Sequence, residues 1–157
     1  MTDVVLINPP LSKERYRHQP YIPIGLAYLA AVLETEGARA EVIDCPTLNI
    51  DHSKLKQRLT KVQPELVGIT AMTPTIESAL LCAKTAKETR PEALVVLGGP
   101  HATFMDREIL AENPYVDIVA RGEGEQTIKE LACALTGKMK LRDVKGITFR
   151  RKKVENE

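Results

Sequence analysis

Short apolar runs alternate with longer stretches of helical spacing along this chain. Val4-Val5-Leu6-Ile7 is a continuous apolar run, the pattern of a strand buried on both faces. Pro9-Pro10 ends it, and a polar loop runs on to Pro23. Ile24 to Glu36 predicts a helix closed by Gly37. It is apolar nearly all round, with Ala27, Ala30 and Ala31 permitting close packing. Glu41-Val42-Ile43-Asp44 is a second strand, leading through Pro46 to a helix from Asp51 to Val62 with an apolar stripe of Leu55, Leu59 and Val62. Leu66 to Thr70 is a third strand. Thr73 and Pro74 then open a helix as N-cap and first helical residue, and Ile76, Ala79, Leu80 and Ala83 continue its spacing. A fourth strand, Leu94 to Leu97, runs into Gly98-Gly99-Pro100, and a helix near Met105 to Glu112 stops before Pro114. A fifth strand, Val116 to Ala120, meets Gly122-Glu123-Gly124. The next helix uses Ile128, Leu131, Ala132 and Leu135 and ends at Gly137, and Ile147-Thr148-Phe149 is a last short strand.

Five β-α units in succession indicate α/β architecture, a parallel sheet with helices on both faces. The expected fold is a flavodoxin-like, doubly wound, five-stranded parallel sheet of order 2-1-3-4-5. It would occupy residues 1–145, with residues 146–157 forming a short C-terminal hairpin extension and the start of a linker. Ligands of such sheets bind beyond the carboxyl ends of the strands, near the point where strand order reverses. The loops that follow the strands therefore carry the functional information.

Composition narrows the classes. The chain has 157 residues, 43% hydrophobic and 27% charged, which suits one globular domain and not a disordered segment. The net charge of +1, with acids and bases spread along the chain, gives no reason to expect nucleic acid or an anionic membrane as partner. Arg150-Arg151-Lys152-Lys153 is short, lacks aromatic neighbours and is expected to be a solvated turn. No run approaches the roughly 18 apolar residues of a membrane span, and the first residues enter a strand at once, so neither a span nor a secretory leader is expected. Cys45, Cys82 and Cys133 are odd in number and far apart, with no Cys-x-x-Cys pair, so a structural zinc site is not expected and the reducing cytoplasm is.

The loop after the first strand is Asn8-Pro9-Pro10. A dinucleotide-binding domain places Gly-x-Gly-x-x-Gly there so that backbone can approach pyrophosphate, and none is present. A flavodoxin's hydroxyl-rich phosphate loop, a receiver domain's acidic cluster and a Walker motif are missing as well. The loop after the third strand, Thr70-Ala71-Met72-Thr73-Pro74-Thr75, offers three hydroxyls for helix capping or for hydrogen bonds to an amide-rich ligand. After the fourth strand, Gly98-Gly99-Pro100-His101 removes side chains where a flat ligand could lie against the backbone, or makes a tight turn. His101 is expected to hydrogen-bond and not to ligate metal, because no second ligand cluster accompanies it. After the fifth strand, Gly122-Glu123-Gly124-Glu125 puts two carboxylates at a helix N-terminus, where they suit the dipole and would repel a phosphate. The expected site is polar, glycine-lined, large and nearly uncharged. It lacks a nucleophile–base pair, a carboxylate dyad and a metal cluster, so the chain alone is not expected to be catalytic.

At these loops the sequence resembles a known family. The runs Val96-Leu97-Gly98-Gly99-Pro100-His101-Ala102-Thr103 and Val116-Asp117-Ile118-Val119-Ala120-Arg121-Gly122-Glu123-Gly124-Glu125, with Asn8-Pro9-Pro10 and Pro23-Ile24-Gly25-Leu26, are similar to the N-terminal cobalamin-binding domain of cobalamin-dependent radical SAM enzymes. The resemblance runs from Val4 to Phe149. It implies cobalamin over the carboxyl edge of the sheet with its nucleotide tail inserted into the domain. The cofactor-binding candidates are Asn8, Pro9, Pro10, Thr70, Met72, Thr73, Thr75, Gly98, Gly99, Pro100, His101, Gly122 and Glu123, with no catalytic residue and no metal ligand. It also implies a separate C-terminal radical SAM domain carrying a [4Fe-4S] cluster and S-adenosylmethionine, whose Cys-x-x-x-Cys-x-x-Cys motif is not in this chain. Methyl transfer or radical rearrangement and cyclisation would then belong to the longer parent. The wider B12-binding fold carries Asp-x-His-x-x-Gly after the first strand. Here Asn8 stands at the Asp position, Pro10 at the His and Lys13 at the Gly, so cobalamin is expected base-off with no His lower ligand. His18 is expected to be a loop residue and His52 solvent-facing. Competing readings are a corrinoid-free flavodoxin-like interaction or sensor domain, and a module for another nucleotide. Glycines and hydroxyls at the strand ends count against the first of these, and the missing phosphate loops count against the second.

Overall fold

The computed structural model describes residues 3–11 and 22–150. The strands are β1 (Asp3–Asn8), β2 (Arg39–Asp44), β3 (Leu66–Thr70), β4 (Leu94–Gly98), β5 (Ile118–Ala120) and β6 (Ile147–Phe149). The helices are α1 (Ile24–Thr35), α2 (Cys45–Leu48), α3 (His52–Val62), α4 (Ile76–Thr89), α5 (Pro100–Phe104), α6 (Asp106–Glu112) and α7 (Glu125–Leu135). The sheet order is β2-β1-β3-β4-β5-β6, so the expected 2-1-3-4-5 order holds for the parallel part. The sixth strand extends the sheet. Ile147–Phe149, expected in a terminal hairpin, pairs antiparallel with β5, from which α7 separates it in sequence.

Strand alternation divides the core in two. Val5, Ile7, Val67, Ile69, Val95, Leu97 and Val119 face α3, α4, α5 and α6, together with Leu55, Leu59, Cys82 and Ile109. Val4, Leu6, Leu66, Val96 and Ile118 face α1 and α7, together with Leu26, Leu33, Ile128 and Leu131. The continuous apolar run of β1 thus feeds both layers, as a central parallel strand must.

Local chemistry explains where elements begin and where the expectations shift. The Asp51 carboxylate accepts from Lys54 N–H at 2.8 Å and caps α3. Thr73-Pro74 opens a 3-10 turn, Thr73–Thr75, before α4 begins at Ile76. The helix near Met105 is preceded by a separate short one, α5, started by Pro100. β5 begins two residues later than expected, because Asp117 turns its carboxylate back to Val95 N–H at 2.8 Å and to Lys87 at 2.6 Å. His52 is half-buried and not solvent-facing. Its Nε2 lies 3.2 Å from Ser78 Oγ and its Nδ1 3.8 Å from Cys82 Sγ.

Candidate functional site

On the α1/α7 side, side-chain volume falls off along each central strand toward its carboxyl end. On that face β1 presents Leu6 then Asn8, β3 presents Gly68 then Thr70, β4 presents Val96 then Gly98, and β5 ends at Ala120. A cleft of about 510 Å³ opens above these small residues. Its other walls are the first turns of α1 (Ile24, Gly25, Leu26, Leu29) and the α7 residues Thr127, Ile128 and Leu131. The cleft runs from an exposed mouth to a buried end. Ile22, Ile24 and Phe104, exposed by 78%, 59% and 83%, stand at the mouth. Leu6, Gly68, Val96 and Leu131 are buried.

The loops at the mouth are locked to one another. Ala71 N–H donates to Gly98 O at 2.8 Å, and His101 N–H donates to Ala71 O at 3.2 Å. Thr103 Oγ1 donates to Gly99 O at 3.0 Å and accepts from Gly122 N–H at 3.0 Å. Gly99 has φ 97°, and a Cβ there would stand 2.7 Å from Ala71 O. This glycine is demanded by the close approach of the loops after β3 and β4. Gly98 differs: a Cβ there would make ordinary 3.9 Å contacts with Ala120, beside the cleft.

The structure brings eight of the expected residues to the cleft: Asn8, Thr70, Met72, Gly98, Gly99, Pro100, Gly122 and Glu123. Pro9, Pro10, Thr73, Thr75 and His101 do not line it. Thr75 is buried, and its hydroxyl accepts from Met72 N–H at 3.0 Å, closing the turn before α4. Thr73 Oγ1 and His101 Nδ1 lie 3.1 Å apart and hold each other. Pro10 is turned to the opposite side, where its carbonyl accepts from Ser78 Oγ at 2.7 Å. Asn8 lines the cleft while its amide nitrogen donates to Asp44 Oδ1 at 2.8 Å, tying the ends of β1 and β2. Thr70 lines the cleft with no side-chain hydrogen bond among the described residues, so its hydroxyl is open to a ligand.

Sequence reasoning passed over Gly68, Ala120, Thr103 and the α1 and α7 walls. A glycine inside a β-rich run is the signal that marks Gly68, since it adds nothing to strand stability and so points to a close approach. A Cβ at Gly68 would stand 2.8 Å from Leu6 Cδ2.

The chemistry available is that of binding. Glu123 and Glu125 are the charged residues on the cleft wall, and neither faces a base that would make a catalytic pair. Among the described residues no three His, Cys, Asp or Glu side chains form a group that could hold a metal ion. Neither His52 nor His101 lines the cleft, and His18 lies outside the described residues. The described thiols are free. Burial raises that of Cys45 to about 12 and pushes that of Cys82 higher still, so both remain protonated. No helix among the described residues is long and apolar enough to cross a membrane.

Comparison with known proteins gives consistent matches. Residues 16–132 match the family model of the B12 binding domain. The anaerobic magnesium-protoporphyrin IX monomethyl ester cyclase of Cereibacter sphaeroides is 41% identical over 131 residues, covering 81% of this chain and 21% of that protein. An uncharacterized methyltransferase of Pyrococcus horikoshii is 39% identical over 157 residues, covering 98% of this chain and 34% of that protein. Among solved structures, the radical S-adenosylmethionine methyltransferase TsrM of Kitasatospora setae, with cobalamin and a [4Fe-4S] cluster bound, superposes with a TM-score of 0.82 at 24% identity. That match covers 97% of this chain and 30% of the enzyme, so the chain spans about a third or less of the proteins it resembles.

Proposed function

Because this chain belongs to the B12-binding domain family, we propose that its cleft receives the lower base of a cobalamin whose corrin lies over the carboxyl edge of the sheet. The observation that carries this reading is the emptied face at Gly68, Gly98 and Ala120, roofed by α1 and α7. The donor set fits. The buried end suits a flat hydrocarbon-rich ring, the open Thr70 hydroxyl can meet amide groups, and the exposed Ile22, Ile24 and Phe104 suit the underside of a macrocycle. Bound cobalamin would supply a cobalt able to carry a methyl group or an electron.

In this reading the cofactor is base-off with no protein His below the cobalt. Pro10 has no nitrogen donor, and neither described cleft wall offers an imidazole. The module serves a longer cytoplasmic enzyme in which a C-terminal radical SAM domain, with its [4Fe-4S] cluster and S-adenosylmethionine, performs methyl transfer or a ring-forming cyclisation. The two relatives named above, a cyclase and a methyltransferase, support that pair of chemistries. The chain itself holds the cofactor and does not catalyse.

Titration with hydroxocobalamin followed by gel filtration tests the reading. Cobalamin is expected to co-elute with folded protein. Electron paramagnetic resonance of the cobalt(II) form is expected to lack nitrogen coupling from an axial ligand. No co-elution would overturn the cofactor assignment, and a nitrogen coupling abolished by His101→Ala or His18→Ala would overturn the absent lower ligand.

A further inference from the structure

The buried end of the cleft has a chemical character of its own. Its lining is Leu6, Val96, Ile128 and Leu131 around Gly68, all buried. The backbone of the floor is already paired, since β3 lies between β1 and β4 and is hydrogen-bonded to both. Two buried polar side chains also line the cleft. Thr127 turns its hydroxyl away, donating to Lys145 O at 3.2 Å and lying 3.1 Å from where a Cβ of Gly146 would stand. Asn8 sits at the carboxyl end of β1, on the mouth side of Leu6, with its amide nitrogen on Asp44.

We propose that this end of the cleft selects the lower base of the corrinoid, accepting a benzimidazole and discriminating against a purine. The inference rests on the cofactor reading above. A dimethylbenzimidazole presents methyl groups and ring carbons along its outer edge, which Leu6, Val96, Ile128 and Leu131 can cover without loss. An adenine presents an exocyclic amine and ring nitrogens along the same edge. Inserted here, these groups leave water and meet only hydrocarbon. One unsatisfied polar group suffices for about a tenfold loss of affinity. A purine is also the weaker donor to cobalt, so releasing it from the metal is easier. That intrinsic effect favours the purine form in a base-off site, so a preference for benzimidazole must come from the protein.

The test compares three corrinoids on the 157-residue chain: cobalamin, the analogue carrying adenine as its lower base, and cobinamide, which has no nucleotide tail. Dissociation constants are read from visible absorbance or calorimetry. Cobalamin is expected to bind about tenfold or more tightly than the adenine form. Val96→Thr exchanges a methyl for a hydroxyl at nearly constant volume, and is expected to narrow that ratio about threefold by offering the purine a partner. If both cobamides bind equally and more tightly than cobinamide, base selection is overturned while the cofactor reading stands. Cobinamide binding as tightly as cobalamin overturns it too, because the base would then lie outside the cleft. If no corrinoid binds, the cofactor reading itself falls. The three-ligand comparison needs no variant, so it decides the matter even if Val96→Thr does not fold.

Discussion

The two faces of this sheet are built from the same strands and do opposite things. Toward α3 and α4, β1, β3, β4 and β5 present Val or Ile or Leu at every turn of the alternation: Val5 and Ile7, Val67 and Ile69, Val95 and Leu97, Val119. All are buried, and small helix residues such as Ala79, Ala83 and Ala86 bring α4 close against them. Toward α1 and α7 the same strands begin with large residues and finish with Asn8, Gly68 and Thr70, Gly98 and Ala120. One face closes as a core and the other opens as a cleft. The difference lies in a few side-chain volumes at the carboxyl ends, and no change of backbone is needed. Both faces contribute core, while binding is assigned to the open carboxyl end of the α1/α7 face, and substitutions should separate framework from cleft.

The largest effect is expected at Gly99, which belongs to the framework. Its φ of 97° is unfavourable for any L residue with a side chain, and a Cβ would press on the Ala71 backbone at 2.7 Å. Gly99→Val is expected to lower folding stability by about 3 kcal/mol or more, read from urea denaturation. A variant as stable as the parent would mean that the loops after β3 and β4 are not held together as described. Gly98→Val is the contrasting change. Its Cβ finds ordinary contact and its β-branch suits a strand, so stability is expected to move by about 1 kcal/mol or less. Cobalamin affinity is expected to fall about tenfold, because the branch projects into the cleft. Equal affinity in the variant would place the ligand elsewhere and break the division of labour between the faces.

Much of this was legible in the chain. The βα alternation and the buried runs indicated a doubly wound parallel sheet, and the order 2-1-3-4-5, expected as a common solution for five such units, is the order of the parallel part. The carboxyl-end rule brought Asn8, Thr70, Met72, Gly98, Pro100 and Gly122 to the cleft. The rule cannot say which way a loop residue turns, and five of the expected residues lie off the cleft. Thr75 and Thr73 turned to local hydrogen bonds, and Pro10 turned toward Ser78. Gly99 lines the cleft and is also required by the close approach to the Ala71 backbone, which its place in the sequence does not reveal. Gly68 carried a local signal, a glycine inside a strand, but what that glycine makes room for depends on its register with Leu6 and Val96, a tertiary pairing. The last strand was found but not its partner, since antiparallel addition at an edge is decided by packing after α7.

The smallest expected effect probes whether the faces are independent. His52 begins α3 on the closed side, with Ser78 and Cys82 of α4 on its two ring nitrogens and Asp51 beside it in sequence. Burial lowers its pKa below the ordinary 6.5, against a smaller upward pull from Asp51. In the unfolded chain the imidazole takes up a proton as pH falls through about 6.5, while in the folded chain it resists. The unfolded state then binds more protons, so stability is full above that pH, declines as pH falls below it, and levels off once the folded pKa is passed. Thermal denaturation from about pH 7.5 to about pH 5, a range that spans the ordinary His pKa, in otherwise constant buffer should show the decline in the parent. His52→Gln should flatten it. Ser78 also donates to Pro10 O at 2.7 Å, so His52 stands one hydrogen bond from the loop after β1. If the faces act separately, cobalamin affinity in His52→Gln matches the parent at neutral pH even though the slope of stability has changed. A loss of affinity with an unchanged melting temperature would show that the Ser78–Pro10 bond transmits the closed face to the open one, and the comparison drawn between them would have to give way.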